Sequence, residues 1–273
     1  MWLASTALAG TVFVSADEVR GFQGAVLDAR GTSAWRDGHL PNSAPVAWTD
    51  LRDGVLRDGE LSDDLDEVAA ALAAAGVRDD QPVLVYGAAH AGWGEEGRIF
   101  WTLDYLGHDQ VHVLDGGIEA WTRAGLPLHT SSTRPEPGAF TPRPRADRRT
   151  TTDELAADPG ATTIWDTRTR EEFDGATPYG ESRGGHVPGA THLHFQDLMD
   201  GDGTLKPRAE LEALLAGASI TPDRPVTTLC TGGVRSGFAY AVLRDLGYTR
   251  ISNYDGSMWA WSARGDLPVE EGP

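Results

Sequence analysis

The sequence predicts an α/β protein made of two domains of one kind, each a mostly parallel sheet flanked by helices. Three observations carry that expectation. Short apolar runs alternate with segments of helical periodicity along the chain. Landmarks of the first half recur in the same order in the second. The 273 residues also exceed the roughly 100–200 typical of one domain.

The elements follow in order. Val26-Leu27-Asp28-Ala29-Arg30 is matched by Ile164-Trp165-Asp166-Thr167-Arg168, and Gly38-His39-Leu40-Pro41 by Gly185-His186-Val187-Pro188. Val83-Leu84-Val85-Tyr86 and Val226-Thr227-Thr228-Leu229 read as buried strands. Ile99 to Leu106 and Phe238 to Leu246 place apolar residues at helical spacing and stop at Gly107 and Gly247, as helix C-termini do. Asp115-Gly116 and Asp255-Gly256 mark matching turns, and Trp121 matches Trp261. Colinear matches at an offset of about 140 residues imply a duplicated domain rather than a short-period solenoid. Thr130 to Arg149, rich in Pro, Ser and Arg without apolar periodicity, reads as an extended linker. The expected division is residues 1–130, a linker over 131–149, and residues 150–273.

The formal charge of -18 excludes a nucleic-acid binder, which needs clustered Lys and Arg to neutralise phosphates. An anionic substrate would need a local positive cradle. The single cysteine excludes an internal disulfide and leaves no resolving thiol, so chemistry at Cys230 must finish on another molecule. The apolar start, Met1 to Gly10, has no basic residue before Arg20, which disfavours a signal peptide. No run reaches the ~18 apolar residues of a membrane span. A cytoplasmic protein with no membrane partner is expected.

The strongest chemical signal is Leu229-Cys230-Thr231-Gly232-Gly233-Val234-Arg235-Ser236-Gly237. A strand ends at Leu229 and a helical pattern starts near Arg235. Gly232 and Gly233 allow backbone that a Cβ would crowd, so successive N–H groups can converge on one point. A thiolate or persulfide there gains from those N–H groups, from the helix dipole and from Arg235, each of which lowers the thiol pKa. A lone cysteine is more commonly an inert small hydrophobe. The strand-to-helix position, the paired glycines and Arg235 favour the nucleophile.

These residues resemble the rhodanese family, over nearly the whole chain, as a tandem pair of rhodanese-like domains. The run from Gly185 to Ala190, the loop from Cys230 to Arg235, and Tyr254-Asp255-Gly256-Ser257 carry the resemblance. It implies a sulfurtransferase of the thiosulfate or 3-mercaptopyruvate type, with Cys230 holding a persulfide and Thr231, Gly232, Gly233, Val234, Arg235 and Ser236 forming its binding loop. No metal or organic cofactor is implied. The implied partners are a small anionic sulfur donor and an acceptor that is cyanide, a small thiol or a protein thiol. Related cysteine-based phosphatases have five residues between the cysteine and the arginine, whereas only Thr231, Gly232, Gly233 and Val234 intervene here.

The first half places Gly87 opposite Cys230, in a segment about three residues longer, and is expected to be non-catalytic and to form one wall of the cleft. His90 there is expected at the surface or at the domain contact. Family members carry an arginine where this chain has Glu172, and a carboxylate at that place would repel thiosulfate. Arg183, on a nearby insertion, is the candidate replacement for anion binding. Met258 and Ala260 also depart from the closing signature. His39 and His186 recur in both halves and suit turn structure. Asp28 and Asp166 suit bonds to the backbone that follows them. Most of the nine tryptophans suit core and interface, with Trp93 and Trp259 candidates for the cleft. Two other readings stay open on the sequence: a cysteine-based phosphatase or arsenate-reductase-like enzyme, and a rhodanese-fold binding protein without turnover.

Overall fold

The computed structural model describes residues 10–54, 59–131 and 135–272. The N-terminal run over residues 1–9 and residues 132–134 of the expected linker lie outside them. Strands β1 (Phe13–Val14), β2 (Ala25–Asp28), β3 (Ser43–Pro45), β4 (Val83–Tyr86) and β5 (Val111–Leu114) form one sheet in the order β1-β5-β4-β2-β3. Strands β6 (Thr163–Asp166), β7 (Thr191–His192), β8 (Val226–Leu229) and β9 (Ile251–Asn253) form a second in the order β7-β6-β8-β9. Every pairing is parallel. The short edge strand β1 has its counterpart in a single parallel bridge from Arg149 to Asn253.

Helices α1 (Thr32–Asp37), α2 (Leu65–Ala74), α3 (Glu95–Tyr105) and α4 (Gly117–Arg123) flank the first sheet. Helix α5 (Thr152–Ala157) precedes β6, and α6 (Arg170–Asp174), α7 (Arg208–Gly217), α8 (Arg235–Asp245) and α9 (Ser257–Ala263) repeat the series. Parallel strands covered on both faces read as unbroken apolar runs, which is why Val83–Tyr86 and Val226–Leu229 are buried at every position. No helix among the described residues is long and apolar enough to cross a membrane.

The repeated landmarks do repeated work. Asp28 and Asp166 each accept from the backbone N–H two residues on, at 3.0 Å in both cases. Each also pairs with the arginine at that position, and Arg30 and Arg168 reach on to the carbonyls of Gly38 and Gly185. His39 stacks on Trp35 and its Nδ1 meets the Trp35 carbonyl, while His186 does the same with Phe173. The histidines therefore serve the turns. Trp35, Trp101, Trp121, Trp165 and Trp261 are buried in the core.

The two halves meet chiefly through α3 and α8. A Cβ on Gly97 would overlap the Phe238 backbone, and one on Gly237 would lie 2.8 Å from Arg98 Cα. Glycine at both places lets the helix axes come close, and one apolar cluster runs through Phe100, Trp101, Phe238 and Tyr240 across the junction. Gly97 and Gly237 are each the third residue of their helix, so the contact has approximate two-fold symmetry. The Asp-Gly turns join the halves as well. Asp115 accepts from Leu205 N at 2.8 Å, and Asp255 from Leu61 N at 2.7 Å. His90 also faces the second half, with Nε2 2.8 Å from the Asp200 carbonyl.

Candidate functional site

Cys230 follows β8 directly and is 2% exposed. Its N–H donates to Ser257 Oγ at 3.1 Å, and its carbonyl accepts from Met258 N. Ser257 itself sits at φ 50, with its hydroxyl on the Tyr254 carbonyl, so the start of α9 grips the cysteine backbone. Gly233 adopts φ +77, and its N–H donates to the Cys230 sulfur at 3.1 Å. Ser236 Oγ lies 3.7 Å from the same sulfur. The loop is the expected nest of N–H donors at the N-terminus of an 11-residue helix.

Burial pushes the Cys230 thiol up, but the Arg235 charge and hydrogen bonds from Ser236 and the Gly232 N–H outweigh it, leaving the thiol below its ordinary value. Arg235 is buried at 4% exposure. It forms a bidentate pair with Glu172, both contacts at 2.7 Å, and Nη2 also meets Thr231 Oγ1 at 2.7 Å. Glu172 is held in place by the start of α6, where it accepts from Thr169 N while Thr169 Oγ1 accepts from Glu172 N. Burial works against its ionisation, yet Arg235 and the Thr169 and Thr231 hydrogen bonds bring its pKa down to about 2. Glu172 therefore does not stand as a bare carboxylate beside the cysteine, as the sequence suggested. It is the counter-ion of the loop arginine.

Aromatic rings cover that pair. The Arg235 guanidinium lies 5.7 Å from the Trp93 ring and 5.6 Å from the Tyr179 ring, and those rings meet edge to face at 4.7 Å. Trp259 packs over Gly232 and donates its indole N–H to the Tyr179 carbonyl. Trp93, which covers the pair, is 44% exposed and comes from the first half.

Arg183 is elsewhere engaged. Its guanidinium donates to the carbonyls of Ser262, Leu267, Trp261 and Arg264, which ties the insertion to the end of α9. Four carbonyls occupy the fork that an anion would need, which corrects the expectation that Arg183 supplies the anion site. Among the described residues no group of three or more His, Cys, Asp or Glu side chains is arranged to hold a metal ion.

Some of the residues around the loop were not legible as functional. Arg98, from α3 of the first half, reaches the Gly233 carbonyl at 3.3 Å and the Gly59 carbonyl at 2.8 Å. Asn253 Nδ2 meets the same Gly233 carbonyl at 3.2 Å. Arg149 pairs with Asp255 at 3.1 Å. The available signal was a lone arginine inside the apolar run Gly97-Arg98-Ile99-Phe100-Trp101, aligned by the repeat with Phe238.

A buried, acidified cysteine in a nest at a helix N-terminus, on a parallel α/β sheet, defines proteins that carry a group on a cysteine thiolate. The sequence profile of the Rhodanese-like domain matches residues 15–124 and again residues 151–264, and the chain belongs to the rhodanese family as a tandem-domain sulfurtransferase. It is 31% identical over 247 residues to the thiosulfate sulfurtransferase of Pseudomonas aeruginosa, covering 90% of each chain. To the Thermus thermophilus sulfur carrier protein TtuD it is 30% identical over 250 residues, covering 86% of each. The fold is also that of the anaerobic ergothioneine biosynthesis enzyme from Chlorobium limicola. That comparison gives a TM-score of 0.82 at 23% identity, over 97% of this chain and 71% of that one.

Proposed function

We propose that this protein moves a sulfane sulfur from thiosulfate or a related donor to a thiophilic acceptor through a persulfide on Cys230. The observation that carries the reading is a single buried thiol, held below its ordinary pKa, with N–H donors aimed at its sulfur. The Cys230 thiolate attacks the outer sulfur of the donor. A new S–S bond forms and the old bond to sulfur breaks: its electron pair leaves with sulfite when the donor is thiosulfate, and with the enolate of pyruvate, which then takes up a proton, when the donor is 3-mercaptopyruvate. The loop from Thr231 to Ser236 holds the resulting anion. A nucleophile such as cyanide, a small thiol or a protein thiol then removes the outer sulfur and returns the thiolate.

In this reading residues 150–273 form the catalytic domain, residues 1–130 the non-catalytic one, and 131–149 the linker. The names of the relatives support sulfur transfer in general. The site itself favours a donor of low charge, because Arg235 is already matched by Glu172 and enclosed by Trp93 and Tyr179. A singly charged donor such as 3-mercaptopyruvate is therefore favoured over the thiosulfate dianion.

Intact-protein mass spectrometry after incubation with thiosulfate or 3-mercaptopyruvate should show one added sulfur atom on the wild type and none on Cys230→Ser. Cyanide should then remove it as thiocyanate. Retained turnover in Cys230→Ser would overturn the mechanism.

A further inference from the structure

We infer that Arg98, from the half without a thiol, is a positioning residue for sulfur transfer at Cys230. The inference builds on the persulfide reading above. Arg98 is 1% exposed and occupies the fourth position of α3. Its guanidinium stacks over Trp101 at 4.7 Å and lies 3.9 Å from Asp255, so its direction is fixed on several sides. From there Nη1 donates to the Gly233 carbonyl.

Gly233 is the residue whose N–H points at the sulfur, in a backbone conformation that side chains rarely adopt. A Cβ on Gly233 would overlap Arg98 Nη1, so the guanidinium occupies the space that glycine leaves. The Gly233 carbonyl and N–H lie in adjacent peptide planes joined at its Cα, so Arg98, together with Asn253 on the same carbonyl, restrains the backbone from which the N–H is presented. Loss of that restraint would let the nest open and weaken the anion's hydrogen bonds.

The approximate two-fold between α3 and α8 supplies an internal control. Phe238 stands at the fourth position of α8, equivalent to Arg98, and packs toward Gly94 in the first half's loop. Each half thus sends one side chain into the other's loop. The loop with the thiol receives a cation with directed donors, and the loop without one receives an apolar ring.

The test is the rate of Cys230 alkylation against pH in the full chain, together with the rate of persulfide formation. Arg98→Met keeps the length and removes the donors. It should raise the apparent thiol pKa and slow alkylation at neutral pH by about threefold to tenfold. Arg98→Lys, which keeps one directed donor, should recover part of the loss. Phe238→Met perturbs the same helix contact from the other side and should leave the profile as in wild type.

A folded Arg98→Met with the wild-type profile and persulfide rate would overturn the proposal, and so would an equal shift in Phe238→Met. If Arg98→Met does not fold, Arg98→Lys decides: a wild-type profile there refutes the positioning role, and an intermediate one supports it. Failure of wild-type Cys230 to take up sulfur from any donor would instead defeat the persulfide reading, and the alkylation profile would still decide whether Arg98 sets the loop.

Discussion

The two strand-loop-helix units compare almost residue for residue up to the point where their chemistry diverges. Cys230 follows β8 and Gly87 follows β4. The second helical residue is Ser236 in one unit and Glu96 in the other. Ser236 reaches toward the sulfur, whereas a Cβ on Gly87 would overlap Glu96 Oε2, so the Glu96 carboxyl fills the space a cysteine side chain would take. The first helical residue is Arg235 in one and Glu95 in the other. Two helix N-termini of equal length thus carry opposite charge. One acidifies a thiol, and the other pushes a carboxyl up to about 8, through burial first and then the charges of Glu95 and Glu119. A helix N-terminus alone does not make an anion site. The sign of the first-turn side chain decides what can ionise there.

The largest effect should come from removing that sign in the unit that carries the thiol. Arg235→Met leaves Glu172 buried without its partner, and breaking such a pair costs about 3–5 kcal/mol. It should also raise the Cys230 pKa and abolish efficient persulfide formation. Because the single variant combines a folding defect with a chemical one, Arg235→Met with Glu172→Leu separates them. Urea denaturation should show much of the stability restored, while Cys230 alkylation near neutral pH stays slow. If alkylation recovers along with stability, the nest suffices alone and Arg235 matters only as a structural ion.

Glu96 makes a prediction in the unit without a thiol. Its pKa is raised in the folded state, so the native protein binds more protons than the unfolded one between about pH 4.5 and 8. Stability from this group is therefore fullest below pH 4.5, falls as pH rises, and levels off above about 8. The penalty at pH 8 is on the order of a few kcal/mol. Glu96→Ser writes in the residue of the thiol-bearing unit and should flatten that slope, whatever constant cost its smaller volume adds. Urea midpoints at pH 5 and pH 8, compared with wild type, measure the slope. An unchanged slope would mean that Glu96 is already ionised in the fold.

The sequence revealed the repeat and the cysteine loop because both are local: apolar period, turn glycines and a helix start all lie within a few residues. Val83–Tyr86 and Val226–Leu229 were readable as strands for that reason. Helix starts were less so. The apolar pattern of the first half began at Ile99, but α3 begins at Glu95, whereas α8 begins at Arg235, where the cysteine loop had placed it. What the sequence could not show was pairing between distant residues. Glu172 looked like an unmatched carboxylate because its partner lies 63 residues away in a different element. Arg183 looked available because the carbonyls it binds are contributed by a chain segment about 80 residues on, and carbonyls leave no mark in side-chain identity. Arg98 was hidden because its target is in the other half.

The smallest effect concerns donor choice. On charge alone, replacing Glu172 by the arginine that family members carry would improve thiosulfate use. In the structure that change would press two guanidinium groups together in a buried site and would remove the α6 cap formed with Thr169. Glu172→Gln is the cleaner probe, since it keeps a carbonyl oxygen for the cap and removes the charge that offsets Arg235. With a pKa of about 2, Glu172 is ionised throughout the usual assay range, and its pairing weakens only as pH falls through that value, so the comparison can be made near neutrality. Uncovering one net positive charge at an effective dielectric of ~20 is worth on the order of 1 kcal/mol toward each negative charge of a nearby donor. A dianion gains about twice what a monoanion gains. Glu172→Gln should therefore raise kcat/KM for thiosulfate by roughly thirtyfold and for 3-mercaptopyruvate by roughly fivefold, with the difference shrinking at high salt. Steady-state kinetics with both donors at two ionic strengths measure it. An equal change for the two donors would show that Glu172 sets the Cys230 thiolate and has no part in choosing the donor.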